Sequence, residues 1–456
     1  MGYYGPDGPW QAVAISVGDF ASESPTRNPY SGVWPIIGDV TFLLGGRGGG
    51  NYTAQTPERM ESIKFRPEPS LYFANTTMAS DGQKSADTAW AVGSQLSVHR
   101  LLGASDYEGF NFTVKVVEVA SWNVTLPNGQ VYTPKTGLLG MRAVLESFSA
   151  NRCTTTCTAE DVADFKSIGL IGSRTFSLHI GSTMGVQQAR PSGQQTPLVG
   201  QQGSFALGGY EQTRIIGPVG VFDMMDDMPI VFLRDVFLGV DGGHSPFVSR
   251  PWMRPITDNI SVFYGVPYGN APSAELNAKL RVGQGMVVVT PSAAAPGIYL
   301  PAEVCERISE YLPVLLDRAT GYYFWNTTSG FYTSLMRSPG YLGFEFADRS
   351  GRNITIKVPF ALLDLGLEPP IVPEPTRYFP CHPLYTPPPG GYYLLGRAFL
   401  QAAFLGYSLD QNVSYLAQAP GPDVEQSVVR AWRPDDVGAE SSLPPGAWHD
   451  AWRRSW

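Results

Sequence analysis

The side chains suited to acid–base or nucleophilic chemistry are spread through this 456-residue chain without the turns that usually organise them. Five histidines, His99, His179, His244, His382 and His449, include no His-Glu-x-x-His spacing that would aim two imidazoles from one helix at a metal ion. No Gly-x-Ser-x-Gly elbow lifts a serine nucleophile above a sheet. The run Gly45-Gly-Arg-Gly-Gly-Gly50 lacks the Gly-Lys-Ser/Thr of a phosphate cradle and reads as a surface loop. Hydrolysis by paired carboxylates needs two of them about 3 Å apart and sharing one proton, each in a tight Asp-Thr-Gly or Asp-Ser-Gly turn. Neither tripeptide occurs anywhere in the chain. No metal or other cofactor is expected.

The elements that would have to position any site are strands. Charged residues make up 16% of the chain, while 50 Gly, 39 Pro and 12% aromatics favour short strands joined by tight turns. The predicted class is all-β, with a few short helices. Phe110-Asn-Phe-Thr-Val-Lys-Val-Val-Glu-Val119, followed by the turn signal Pro127-Asn-Gly129, reads as strand and hairpin. Helical spacing is confined to about 159–167 and 301–316. At this length two cores are expected. The Gly- and Gln-rich text from Gln187 to Gly203 suggests a connection between an N-terminal unit, 1–205, and a C-terminal unit, 206–419. Residues 420–456 lack a core-forming run and read as a flexible tail or stalk. Trp448, Trp452 and Trp456 recur there every fourth residue, the pattern of a short aromatic stripe on a membrane-surface or partner helix, but the segment is too short to be stable alone.

A net charge of −8 argues against nucleic acid, which needs clustered cations. No apolar run spans a bilayer and the first residues carry no signal-peptide pattern, so an anchor would belong to a longer form. Eight of the thirteen asparagines nevertheless stand in Asn-x-Ser/Thr: Asn51, Asn75, Asn111, Asn123, Asn259, Asn326, Asn353 and Asn412. Chance would give about two. These are predicted glycosylation sites of a secretory-pathway protein at the cell surface or outside the cell. The four cysteines fit that compartment. Cys153 and Cys157 can close a small loop, and Cys305 and Cys381 a long one, while zinc finds no second Cys or His pair at ligand spacing.

An ordered series of segments carries a resemblance. Gly203-Ser-Phe-Ala-Leu-Gly-Gly-Tyr-Glu211, Val231-Phe-Leu-Arg-Asp-Val-Phe-Leu-Gly-Val240, Ile298-Tyr-Leu-Pro-Ala-Glu-Val-Cys305 and Val358-Pro-Phe-Ala-Leu-Leu-Asp-Leu365 come first. Arg377-Tyr-Phe-Pro380, Tyr393-Leu-Leu-Gly-Arg-Ala-Phe-Leu-Gln-Ala-Ala-Phe404 and Leu416-Ala-Gln-Ala419 complete it. In this order and spacing they resemble the C-terminal half of the pepsin-like aspartic peptidases, in particular fungal secreted or membrane-anchored members with degenerate catalytic motifs. Thr136-Gly-Leu-Leu-Gly-Met141 supplies a second Leu-Leu-Gly unit, as an internal two-fold would require, while residues 19–110 align poorly.

The resemblance implies a two-lobed double β-barrel around a central cleft, and an aspartic endopeptidase ancestry. It places Ser292, in Val289-Thr-Pro-Ser-Ala-Ala-Ala-Pro296, where the second catalytic aspartate should stand. A serine cannot share a proton at working pH. Asp39, in Gly38-Asp-Val-Thr41, is a weak candidate for the first. The expected function is that of an inactive, monomeric surface glycoprotein whose cleft holds an extended peptide or cell-wall glycan. The alternatives are an active endopeptidase with a divergent dyad and a structural glycoprotein without ligand.

Overall fold

β-branched and aromatic residues in short runs, interrupted by Gly, Pro and Asn, fold here into a mainly β protein with few helices, seen in a computed structural model. The structure describes backbone strands within the first 170 residues, and most of backbone and side chains over 171–182, 203–264, 286–385, 392–422 and 428–453, with gaps. The Asp106–Val119 strand contains the predicted 110–119 run. Ser121–Thr125 and Val131–Tyr132, on either side of the predicted turn signal at Pro127-Asn-Gly129, pair antiparallel.

An eight-stranded sheet is built from both ends of the chain. Its order runs Tyr3–Tyr4, Ala12–Ile15, Val199–Leu207, Thr175–Val186, Ala403–Ser408, Val413–Gln418, Ile216–Met225 and Met228–Pro229. Phe176 pairs with Tyr407 across it, their rings stacked at 4.7 Å. The boundary expected near residue 205 falls inside the Val199–Leu207 strand, so Gln201–Gly203 belongs to the sheet rather than to a surface connection. Asp410, in the turn after Ala403–Ser408, binds Lys166 Nζ at 2.9 Å and Arg174 Nε at 2.8 Å. Burial opposes the charge on Asp410, but the Arg174 backbone N–H and the two cations outweigh it and hold the carboxyl below its usual range.

Each half contains a second sheet, and four strands of each correspond. In the first half Gly137–Gly140 lies parallel to Val33–Ile36 and antiparallel to Thr41–Leu44, which runs parallel to Asp106–Val119. In the second half Tyr393–Leu395 lies parallel to Val287–Pro291 and antiparallel to Ile298–Pro301, which runs parallel to Cys381–Leu384. In both cases a Leu-Leu strand, followed by glycine, is inserted between two strands joined by one short loop.

Of the two predicted helices, one is present and shorter than expected. Ala302–Glu310 is α-helical, with Val304, Cys305 and Ile308 buried, and Pro313 ends the segment before the Val314–Asp317 strand begins. Around 159–167 the structure has the Val162–Ala163 strand instead, paired with Phe148–Ala150. A sheet edge there outweighs weak helical spacing.

The expectation of a flexible tail over 420–456 also needs correction for the described residues. Val429–Ala431 pairs with Gly209–Glu211, and Trp432 packs on Tyr415 at 4.5 Å and Tyr210 at 5.0 Å. Ala447–Trp452 is a short helix with Trp448 and Trp452 buried. Few but large side chains anchor this segment, each burying roughly 150–250 Å², so no periodic apolar run was needed. Among the described residues no helix is long and apolar enough to cross a membrane.

Candidate functional site

The candidate site is the loop 292–297, which joins the two strands flanking Tyr393–Leu395. Val287–Pro291 is buried throughout, as a β-branched strand with both faces covered must be. Thr290 Oγ1 donates to Pro229 O at 3.3 Å and Tyr407 Oη to Pro291 O at 3.4 Å. Ser292 continues the ladder by donating its N–H to Leu395 O at 3.0 Å.

Beyond Ser292 the loop is held by the start of the next element, Arg397–Leu400. Gly396 N donates to Gly297 O at 2.9 Å, Arg397 N to Ala295 O at 2.7 Å and Ala398 N to Pro296 O at 2.9 Å. Arg397, itself buried, extends Nη1 to Ala293 O at 2.8 Å. The carbonyls of Ala293, Ala295, Pro296 and Gly297 are thereby satisfied, and these residues are tied to the chain that follows Tyr393–Leu395. Its side chains are Ser292, three alanines and Pro296, none of which titrates at working pH.

Gly396 is required by this close approach. A Cβ there would lie 2.2 Å from Ala295 O and 2.4 Å from Gly297 O, both backbone atoms. Gly396→Ala is expected to destabilise the fold by about 2–3 kcal/mol. Urea denaturation followed by tryptophan fluorescence checks this, and an unchanged midpoint would refute it.

The strand registers identify the counterpart of Ser292 in the first half. Leu139 pairs with Pro35 and Leu395 with Pro291, so the residues that follow, Ile36 and Ser292, correspond. Asp39 follows Pro35 by four residues, the spacing of Ala295 from Pro291. Counted from the return strands, where Leu138 pairs with Phe42 and Leu394 with Tyr299, Asp39 corresponds to Pro296. By either count Asp39 corresponds to a residue other than Ser292. Asp39 itself lies outside the described residues, as do Cys153, Cys157, Asn51 and Asn75.

Other titratable groups near the second-half loop are built into packing. His382 stacks on Tyr299 at 4.6 Å and meets Tyr322 edge-on at 5.2 Å, its ring lying against Gly297. His179 is buried in the shared sheet, and burial, with the charge of Arg214 adding to it, pushes its pKa down to about 3, so the ring is neutral in any ordinary buffer. Arg397 and His382 escaped sequence reasoning as site residues because a single Arg or His inside a motif carries no spacing signal. Among the described residues no group of His, Cys, Asp and Glu could hold a metal ion.

Asp364, the acid of the Pro-Phe-Ala-Leu-Leu-Asp-Leu segment, accepts a hydrogen bond from Tyr332 Oη at 2.8 Å and faces Arg377 Nη1 at 3.7 Å. Burial raises its pKa, with Arg377 and the Tyr332 hydrogen bond pulling the other way. Between the ordinary carboxylate pKa and this raised one, the unfolded chain holds fewer protons than the folded one. Stability therefore falls as pH rises through that window. Asp364→Asn is expected to remove this slope and to raise stability above the window by on the order of 1 kcal/mol. Denaturation midpoints of both proteins across acid to neutral pH test the sign.

Of the predicted sequons, Asn111 and Asn123 lie in strands, and Asn259, Asn326, Asn353 and Asn412 are exposed. Cys305 and Cys381 form a disulfide. No model of a known protein family matches the chain, and no curated protein matches its sequence.

Proposed function

We propose that the chain is a non-catalytic relative of the pepsin-like aspartic peptidases: a two-lobed, secreted or cell-surface glycoprotein that holds an extended peptide or glycan in its inter-lobe cleft. The observation that carries this reading is the correspondence of Ser292 with Ile36 in two strand–loop–strand units of the same topology. Paired-carboxylate chemistry needs an acid at each of those positions, and neither has one. Support for a surviving cleft comes from the care with which the second loop is held, by Gly396, Arg397 and Ala398, although it has no proton to transfer. A binding protein keeps such a scaffold because shape outlasts chemistry in a fold.

The test has two parts. Incubated with denatured protein at about pH 3–5, the chain is expected to produce no cleavage, with or without a transition-state-like inhibitor of aspartic peptidases. Screened against extended peptides and cell-wall oligosaccharides, it should retain one class. Inhibitor-sensitive cleavage would overturn the non-catalytic reading, and retention of neither class would leave a structural glycoprotein.

A further inference from the structure

We propose that Asn326 carries an N-linked glycan and that this glycan shields an open sheet edge beside it. The inference rests on the secretory-pathway reading above and specifies which site that pathway would use and why.

Asn326 stands where the Tyr322–Trp325 strand leaves its sheet and the Gly330–Met336 helix is about to begin. Its N–H donates to Pro313 O at 2.8 Å, and its own carbonyl accepts from Ser329 N at 3.1 Å, which makes a fixed turn. Asn326, Thr327 and Thr328 are all exposed. The hydroxyl of Thr328, the third residue of the sequon, donates to Asn326 Oδ1 at 2.8 Å. Among the described residues Nδ2 has no hydrogen-bond partner. In transfer from a lipid-pyrophosphate-linked oligosaccharide, Nδ2 forms a bond to C1 of the first sugar as the C1–oxygen bond to pyrophosphate breaks. The lipid pyrophosphate leaves with that electron pair, and Nδ2 gives up one of its two protons.

The other described sequons are engaged in the fold. Asn412, at φ 54°, donates Nδ2 to Met224 O at 3.0 Å, and its sequon hydroxyl, Ser414, is buried. Asn353 is paired in a strand and donates Nδ2 to Glu345 at 2.9 Å, while Arg234 binds its Oδ1. Asn259 Oδ1 accepts from Tyr341 Oη at 3.3 Å, and its sequon hydroxyl, on Ser261, donates to Asp235 at 2.7 Å.

The neighbouring strand explains what a glycan would do there. Among the described residues Val314–Asp317 is the outer strand of its four-stranded sheet, paired with Tyr322–Trp325 alone, and Leu315 on it is 77% exposed. An uncovered strand edge bearing an exposed leucine is a template for pairing with a second chain. The strand starts one residue after Pro313, the hydrogen-bond partner of Asn326, and Leu315 is about two residues, or roughly 7 Å, along it. A branched polar group on Asn326 therefore occupies the space a second strand would need.

The full chain, expressed behind a cleavable leader in a eukaryotic secretory host, supplies the test. Glycosidase release in ¹⁸O water, followed by peptide mass spectrometry, should show Asn326 occupied in nearly every molecule. After the glycans are removed enzymatically, or in Thr328→Ala, sedimentation should show about a twofold rise in weight-average mass as copies pair. Leu315→Lys in either background should restore the monomer. An empty Asn326 in chains whose other sequons are occupied would overturn the site. A Thr328→Ala chain that stays monomeric would overturn the shield. The chain from its own cells, treated with the same glycosidase, reports separately on the compartment: an unchanged mobility there sinks the secretory reading whatever the host shows.

Discussion

Trp452→Ala is expected to lower stability by about 3–5 kcal/mol, although residue 452 stands only four from the end of the sequence. The indole is fully buried and lies against Gly421, where an added Cβ would come within 2.7 Å of the ring. One turn earlier Trp448 meets Tyr341 at 5.5 Å, and Lys357 Nζ sits over both rings, 5.0 Å from Trp448 and 4.9 Å from Tyr341. The same lysine reaches Asp241 at 2.7 Å, so losing the helix also exposes an ion pair. Trp452 Nε1 is buried with no acceptor among the described residues, which gives the experiment its control. Trp452→Phe keeps most of the apolar contact and drops an unpaired N–H, so it should cost much less than the alanine variant. Chemical denaturation of the three proteins decides: equal midpoints for the wild type and Trp452→Ala would show that the helix is dispensable.

Removing the Cys305–Cys381 disulfide, as the double alanine variant, should cost about 4–5 kcal/mol. The bond joins the Ala302–Glu310 helix to the Cys381–Leu384 strand across a sequence separation of 76 residues, and both cysteines are buried. A loop of that length restricts the unfolded chain strongly, and this is where most of the effect arises in the chain-entropy account. The strand it anchors runs parallel to Ile298–Pro301, so the bond also braces the element that closes the 292–297 loop. A denaturation midpoint in the variant within error of the oxidised protein would refute the expected loss.

Local pattern made much of this fold readable. The long β-branched run ending at Val119 is a strand, and the Pro-Asn-Gly signal after it falls between two further short strands, Ser121–Thr125 and Val131–Tyr132, that pair antiparallel. The Leu-Leu-Gly repeat announced two inserted strands because glycine at such a crossing answers a local steric demand, which Gly396 shows directly. The spacing of Cys305 and Cys381 allowed the bridge the structure contains. What escaped was set by distant partners. Val162–Ala163 became a strand because Phe148–Ala150 offers it an edge. The tail is ordered by pockets more than 200 residues away, such as the Tyr210 ring under Trp432, and no window of sequence contains both. The correspondence of Ile36, rather than Asp39, with Ser292 required strand registers, because the two loops differ by one residue between the same pairing points.

The sheet shared between the two ends of the chain also sets an order of events during synthesis. Thr175–Val186 has Ala403–Ser408 as its neighbour on one side, and Phe176 must wait for Tyr407, 231 residues later (407 − 176). At about 5–20 residues per second, a ribosome takes roughly 12–46 s to make that interval. Through that time the first half carries an unfinished strand edge, so a chaperone has its longest opportunity to engage the nascent chain there.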